Sequence, residues 1–69
     1  MKDLITSVGV VVESLSNDRY KVRLDNGVEV TAYPGGRLRI RHIRVLVGDR
    51  VRVALSPYDL SCGRIERRL

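Results

Sequence analysis

The sequence predicts an all-β fold: a small closed or nearly closed barrel of five strands. Three observations predict it. Apolar and polar residues alternate with period two through "RYKVRL" and "RVRVAL"; an Asn-Gly pair in "LDNGV" joins two such runs; and one long connection, Pro34 to Asp49, separates strands three and four.

The elements follow in order. Ile5 to Ser14 is rich in β-branched residues and reads as a long first strand. Gly9 inside it marks a bulge or a sharp bend, which a small barrel needs where a strand turns a corner. Ser16-Asn17-Asp18 is a turn. From Arg19 to Leu24, Tyr20, Val22 and Leu24 share one face and Arg19, Lys21 and Arg23 the other. Asn26-Gly27 supplies the positive φ angles of a tight hairpin turn. Val28, Val30 and Ala32 then alternate with Glu29, Thr31 and Tyr33, and Pro34-Gly35-Gly36 ends that third strand. A fourth runs from Arg50 to Leu55 with Val51, Val53 and Leu55 inward. "SPYDLSCG" reads as turn chemistry, leaving Arg64 to Arg68 as a short fifth strand around Ile65.

Sixty-nine residues are expected to make a single domain, 1–69, with residues 1–4 as a flexible tail. Its core must offset a conformational entropy cost on the order of 100 kcal/mol, so net stability is slim. Cys62 is the one cysteine, so no internal disulfide forms, which fits a reducing cytosol. One Cys and one His cannot build a four-ligand zinc cage, and no cofactor is expected. The run Val8 to Val12 is shorter than the core of a signal peptide, and no stretch nears the ~20 apolar residues of a membrane span. The expectation is a cytoplasmic monomer with no membrane partner.

Charge is the informative quantity. The net value is +5 and the pI near 10.1. Residues 1–36 hold four cations against five acids, while residues 37–69 hold nine arginines against Asp49, Asp59 and Glu66. Self-repulsion on that scale is tolerated when a polyanion will meet it, and nucleic acid is the commonest such partner. Eleven of the thirteen cations are arginine, whose planar fork grips phosphate bidentately and stacks on bases. The densest run is "RLRIRHIR", residues 37–44, with four arginines, the lone His42 and no acid. As a helix it sets Arg37, Arg41 and Arg44 on one face; as extended chain it sets Arg37, Arg39 and Arg41 on one side. Apolar residues scatter around its helical projection, so at most one or two turns are expected. Either way three of the four guanidinium groups converge.

The aromatics and acids narrow the mode. There is no Phe or Trp, and Tyr20 sits on the apolar face of its strand, leaving Tyr33 and Tyr58 as candidate partners for a base. A solvated face is the ordinary reading of a basic run, and surface packing that of an exposed Tyr. The segregation of acids from arginines favours a folded nucleic acid gripped through its phosphates. Catalysis has little support. His42 and Cys62 lie in separate segments without an orienting acid, so His42 reads as a polar edge contact and Cys62 as a bystander at a turn. Asp49 and Asp59 follow turn residues, where carboxylates accept backbone N–H bonds. The protein is expected not to be an enzyme.

Specific residues add a family. "GVVVESLSN", "YKVRLDNGVEVTAY", "HIRVLVGDRVRVALSPYDLSCGRI" and Arg68 resemble bacterial translation initiation factor one, without gaps from about Gly9 to Arg68. "SPYDLS" and "GRI" after "GDRV" form the specific signature. The resemblance implies a five-stranded OB-fold barrel, with a short helix or helical turn between strands 3 and 4, that binds the small ribosomal subunit at its A site, touching ribosomal RNA and a small-subunit ribosomal protein. It also implies blocking that site, displacing decoding adenines and cooperating with the other two initiation factors. The family's contacts fall on Arg37, Arg39, Arg44, Arg64 and Arg68, with Tyr58 on an adjoining loop; charge adds Arg41 and Arg67. Cys62 stands where relatives commonly carry a basic residue and Arg67 where they often carry an aromatic. Ile40 replaces a frequent Lys, and Pro34 a frequent Ser before Gly35. The rivals are a cold-shock-like RNA chaperone, which the scarcity of aromatics disfavours, and a small barrel that docks acidic proteins.

Overall fold

Alternation sorts the side chains, and the barrel closes around those it turns inward. A computed structural model describes residues 5–69; the expected tail at 1–4 lies outside them. The elements are β1 (Ile5–Leu15), β2 (Arg19–Leu24), β3 (Glu29–Pro34), α1 (Gly36–Ile40), β4 (Arg50–Ser56) and β5 (Asp59–Arg68). They form a closed barrel in the order β1-β2-β3-β5-β4. Every pairing is antiparallel except the closing one, β3 against β5, which is parallel. Val22, Leu24, Val30, Ala32, Val51, Val53, Leu55 and Ile65 point inward as the alternation requires. Tyr20 packs half-buried against them. Val28 does not join; it is about half exposed, just before β3 begins.

β1 makes two ladders at once. Its first half pairs with β4 and its second with β2, and Gly9 lies in both, opposite Leu24 and Val51. A Cβ there would stand 2.5 Å from the carbonyl oxygen of Arg23. Gly9 therefore permits the close crossing of two neighbours, while the register shift itself falls further on, at Val12, between Val11 and Glu13. After β2, the hairpin is built differently from the expected pair of positive φ angles. Only Gly27 is left-handed, at φ 91°. The Gly27 N–H donates to Leu24 O, and the Leu24 N–H to Val28 O, while Asn26 Oδ1 accepts the Val28 N–H at 2.9 Å.

β5 is the larger correction. It starts at Asp59, not Arg64, so Leu60 to Gly63 are strand and Cys62 is an exposed strand residue. Polar composition reads as loop, but here the main chain supplies the order. Cys62 pairs with Thr31 and Gly63 with Ala32 on one side, and Gly63 with Leu55 on the other. The turn shrinks to Pro57-Tyr58, and both aspartates act as turn chemistry requires. Asp59 Oδ1 accepts from the Ser61 hydroxyl (2.6 Å) and backbone N–H (3.1 Å); Asp49 Oδ2 accepts the Leu46 N–H at 2.9 Å. Those Ser61 hydrogen bonds hold the Asp59 carboxyl below its ordinary range.

The long connection is tied down at two points. Leu38 and Val45 turn inward and join the core. Helix α1 ends in a Schellman motif: the Ile43 N–H reaches Leu38 O, the His42 N–H reaches Arg39 O, and His42 takes the left-handed conformation at φ 55°. The one histidine thus occupies a position that favours glycine. Beyond it, Gly48 and Asp49 exchange backbone hydrogen bonds with Val11, lashing the connection to β1.

Three outcomes follow from this packing. His42→Gly should raise stability by up to about 1 kcal/mol, since a left-handed L-residue costs roughly 1–2 kcal/mol, and His42→Val should lower it; thermal unfolding reads both. Gly63→Ala should destabilise by about 1–3 kcal/mol, because its Cβ would meet Val53 Cγ1 at 2.5 Å and Leu55 Cδ2 at 2.7 Å. In carboxyl NMR titrations, Asp59 should deprotonate below the usual aspartate range, and Ser61→Ala should move its midpoint up. Because the folded value is the depressed one, Asp59 contributes stability above its unfolded pKa that is lost as pH falls through the folded pKa.

Candidate nucleic-acid interface

The parallel closure of β3 on β5 brings the connection onto the arginines of the last strand. The Gly35 N–H donates to Ile65 O at 2.9 Å, and the Arg64 stem lies where a Cβ on Gly35 would meet it at 3.1 Å. From that junction α1 leads away carrying Arg37, while Arg64, Arg67 and Arg68 stand along β5. Between them opens a concavity of about 910 Å³, lined by Arg37, Arg41, Arg52, Arg64, Arg67 and Arg68, with Glu66 its one acid. Gly35, Gly36, Leu38 and Ile43 complete its wall.

All eight expected contact residues are exposed, and five line this groove: Arg37, Arg41, Arg64, Arg67 and Arg68. Arg39, Arg44 and Tyr58 do not. The octet therefore divides two and two, where three convergent guanidinium groups were expected. The cause is local. Arg37 and Arg41 keep the helical i, i+4 relation, but the left-handed turn at His42 breaks it before Arg44. Tyr58 is 89% exposed at the tip of the β4–β5 turn, and Tyr33 is 45% exposed beside a second, smaller hollow of about 220 Å³ that Arg64 also borders. Arg64 joins the two depressions.

The electrostatics separate the two ends of the chain. Three acids of the first half are matched: Glu13 to Lys21 (3.5 Å), Glu29 to Arg23 (2.8 Å) and Asp25 to Arg50 (3.4 Å). The Arg23 hydrogen bond holds the Glu29 carboxyl below its ordinary value. In the basic half, Arg64 meets Glu66 at 3.4 Å and Arg68 meets Asp49 at 3.2 Å. These pairs lie at the surface, with Asp49 the most covered partner, and surface pairs contribute little. Among the described residues, no carboxylate pairs with Arg37, Arg39, Arg41, Arg44, Arg52 or Arg67.

Arg52 is the residue that the sequence reading left out of the contact set. It stands on the outward face of β4, directly opposite Arg67. Alternation alone signals that Arg52 faces outward; which strand lies beside it depends on the barrel order. No group of three or more His, Cys, Asp or Glu among the described residues is arranged to hold a metal ion. No described helix is long and apolar enough to cross a membrane.

Comparison with known proteins gives this surface its setting. The solution structure of a bacterial translation initiation factor one, from the Wolbachia endosymbiont strain TRS of Brugia malayi, is similar at 40% identity and a TM-score of 0.84. That match covers 99% of this chain and 80% of the other. The crystal structure of YjeQ from Thermotoga maritima is similar at 29% identity and a TM-score of 0.77, over 94% of this chain but only 23% of that larger protein. The barrel with its helix after β3 is thus the OB-fold that the resemblance implied. The family model described as translation initiation factor 1A / IF-1 matches residues 1–69 in full. The chain belongs to the translation initiation factor 1A / IF-1 family.

Proposed function

We propose that this initiation factor docks on the small ribosomal subunit at its A site, using the arginine groove and the neighbouring Arg39, Arg44 and Tyr58 to grip ribosomal RNA. Bound there, it blocks the site and assists the other initiation factors. The observation that carries the reading is the accumulation of unpaired guanidinium groups around one concavity. Like charges held together weaken a small fold, and a densely negative polymer relieves that repulsion. The mechanism is occupancy and local deformation of the site, with no bond made or broken.

A protein contact accompanies the RNA grip in this proposal. Ile40 (78% exposed), Leu46 and Val47 stand out from the connection with no apolar cover. They offer apolar anchoring to a small-subunit ribosomal protein beside the RNA. The scarcity of aromatics speaks against a chaperone of unstructured RNA. Of the three tyrosines, only Tyr33 and Tyr58 present an exposed ring, too few to make a stacking platform.

Chemical footprinting of ribosomal RNA in small subunits, with and without the protein, should show protection confined to the decoding region. Arg39→Ala and Arg64→Ala should each weaken subunit binding and lower the salt dependence of log K by about one phosphate's worth. Their thermal unfolding should stay within about 0.5 kcal/mol of the parent. Unchanged affinity in both variants removes the cationic surface from the mechanism.

A further inference from the structure

β4 and β5 meet with a dislocation whose position decides what faces Arg52. Val53 pairs with Ile65, both fully buried. An uninterrupted antiparallel ladder would next set Glu66 opposite Arg52, an attractive cross-strand pair. Instead the register shifts between Arg52 and Val53, Glu66 becomes the extra residue, and Arg67 stands opposite Arg52. Side chains directly opposite in such a ladder have Cβ atoms about 5 Å apart, and like charges there are destabilising. Glu66 forms an ion pair with neither; its carboxylate lies 3.4 Å from Arg64 instead. On its other side Arg52 faces Val8 of β1, which carries no charge. Both arginines are exposed, both line the groove, and neither meets a carboxylate among the described residues.

We infer that Arg52 and Arg67 form a two-pronged anion site that clasps a single phosphate of the RNA backbone between them. The inference rests on the RNA-binding reading of the groove and adds to it a residue, Arg52, and a stoichiometry. Two guanidinium forks about 5 Å apart at their roots can converge on one tetrahedral phosphate, each donating N–H bonds to different oxygens. Backbone pairing on both flanks fixes the β4 main chain at Arg52 before the ligand arrives, and repulsion between the prongs is relieved on binding. The bulge therefore replaces an opposite-charge cross-strand pair with two adjacent arginines, between which a backbone phosphate fits.

The test is a double-mutant cycle of Arg52→Ala and Arg67→Ala, with small ribosomal subunits as the probe and affinity read across a salt series. Each single variant should lose about tenfold in affinity. Either should reduce the slope of log K against log salt by about 0.7–0.9, the value for one phosphate. The double variant should lose little more than either single one. Each single variant should also melt at or above the parent temperature, and Arg67→Glu, which restores an opposite-charge pair, should melt higher still while binding worst. Multiplicative losses with a slope change of two phosphates overturn the shared site, as do unchanged affinities. Failure of the underlying reading looks different: the parent protein itself would then bind subunits without a log-linear salt dependence, and Arg39→Ala would be silent too.

Discussion

Everything in this molecule depends on the parallel pairing of β3 with β5. Four antiparallel junctions alone would leave a curled sheet with two raw edges, one of them ending in the polar, glycine-containing segment 59–63. The register Thr31–Cys62 through Pro34–Ile65 joins those edges and leaves the described strands without an open one. It also determines where the chain leaves β3. Pro34 ends beside Ile65, so the connection must start over the β5 arginines, and Arg37 and Arg41 rise across from Arg67 and Arg68. Closure and the cationic groove are one constraint seen from two sides.

The core that this closure encloses is made of small parts. Six of the eleven residues in the buried cluster are valine, and its largest side chains are leucine and isoleucine. Such residues suit strands because their branched carbons pack across a pleated surface, and they fill a narrow barrel without the long reach of an aromatic ring. Backbones must then approach closely, which explains why Gly9 and Gly63 sit where any side chain would collide with a neighbour. A barrel this tight leaves no interior room for polar groups, and none is buried among the described residues. All charge is carried on the outside, where its distribution becomes a matter of recognition.

Much of the barrel was legible in the sequence. Alternation in Arg19–Leu24 and Arg50–Leu55 located β2 and β4, and Asn26-Gly27 located the hairpin, because half-buried strands and tight turns each leave a local pattern. The first half of β5 left none: Asp59 to Cys62 are exposed, and their order comes from main-chain partners distant in sequence. Leu38 and Val45 were equally hidden, since two anchors on either side of a left-handed turn follow no single period. The site divides along the same line. The basic character of the second half was visible by counting, and so were most of its residues. Arg52 required knowing both the strand order and the bulge at Glu66, and the partition of the octet required the turn at His42. Side-chain identity is local information; who stands opposite whom is not.

The two anchors of the connection have a consequence for affinity. A span from Gly35 to Asp49 left free to roam would surrender most of its conformational freedom on meeting a rigid partner, and that loss would be subtracted from every contact formed. Leu38 and Val45, with the hydrogen bonds that join Gly48 and Asp49 to Val11, have already surrendered much of it during folding. The interaction energy of the arginines on this span is accordingly available to hold the complex rather than to organise the loop.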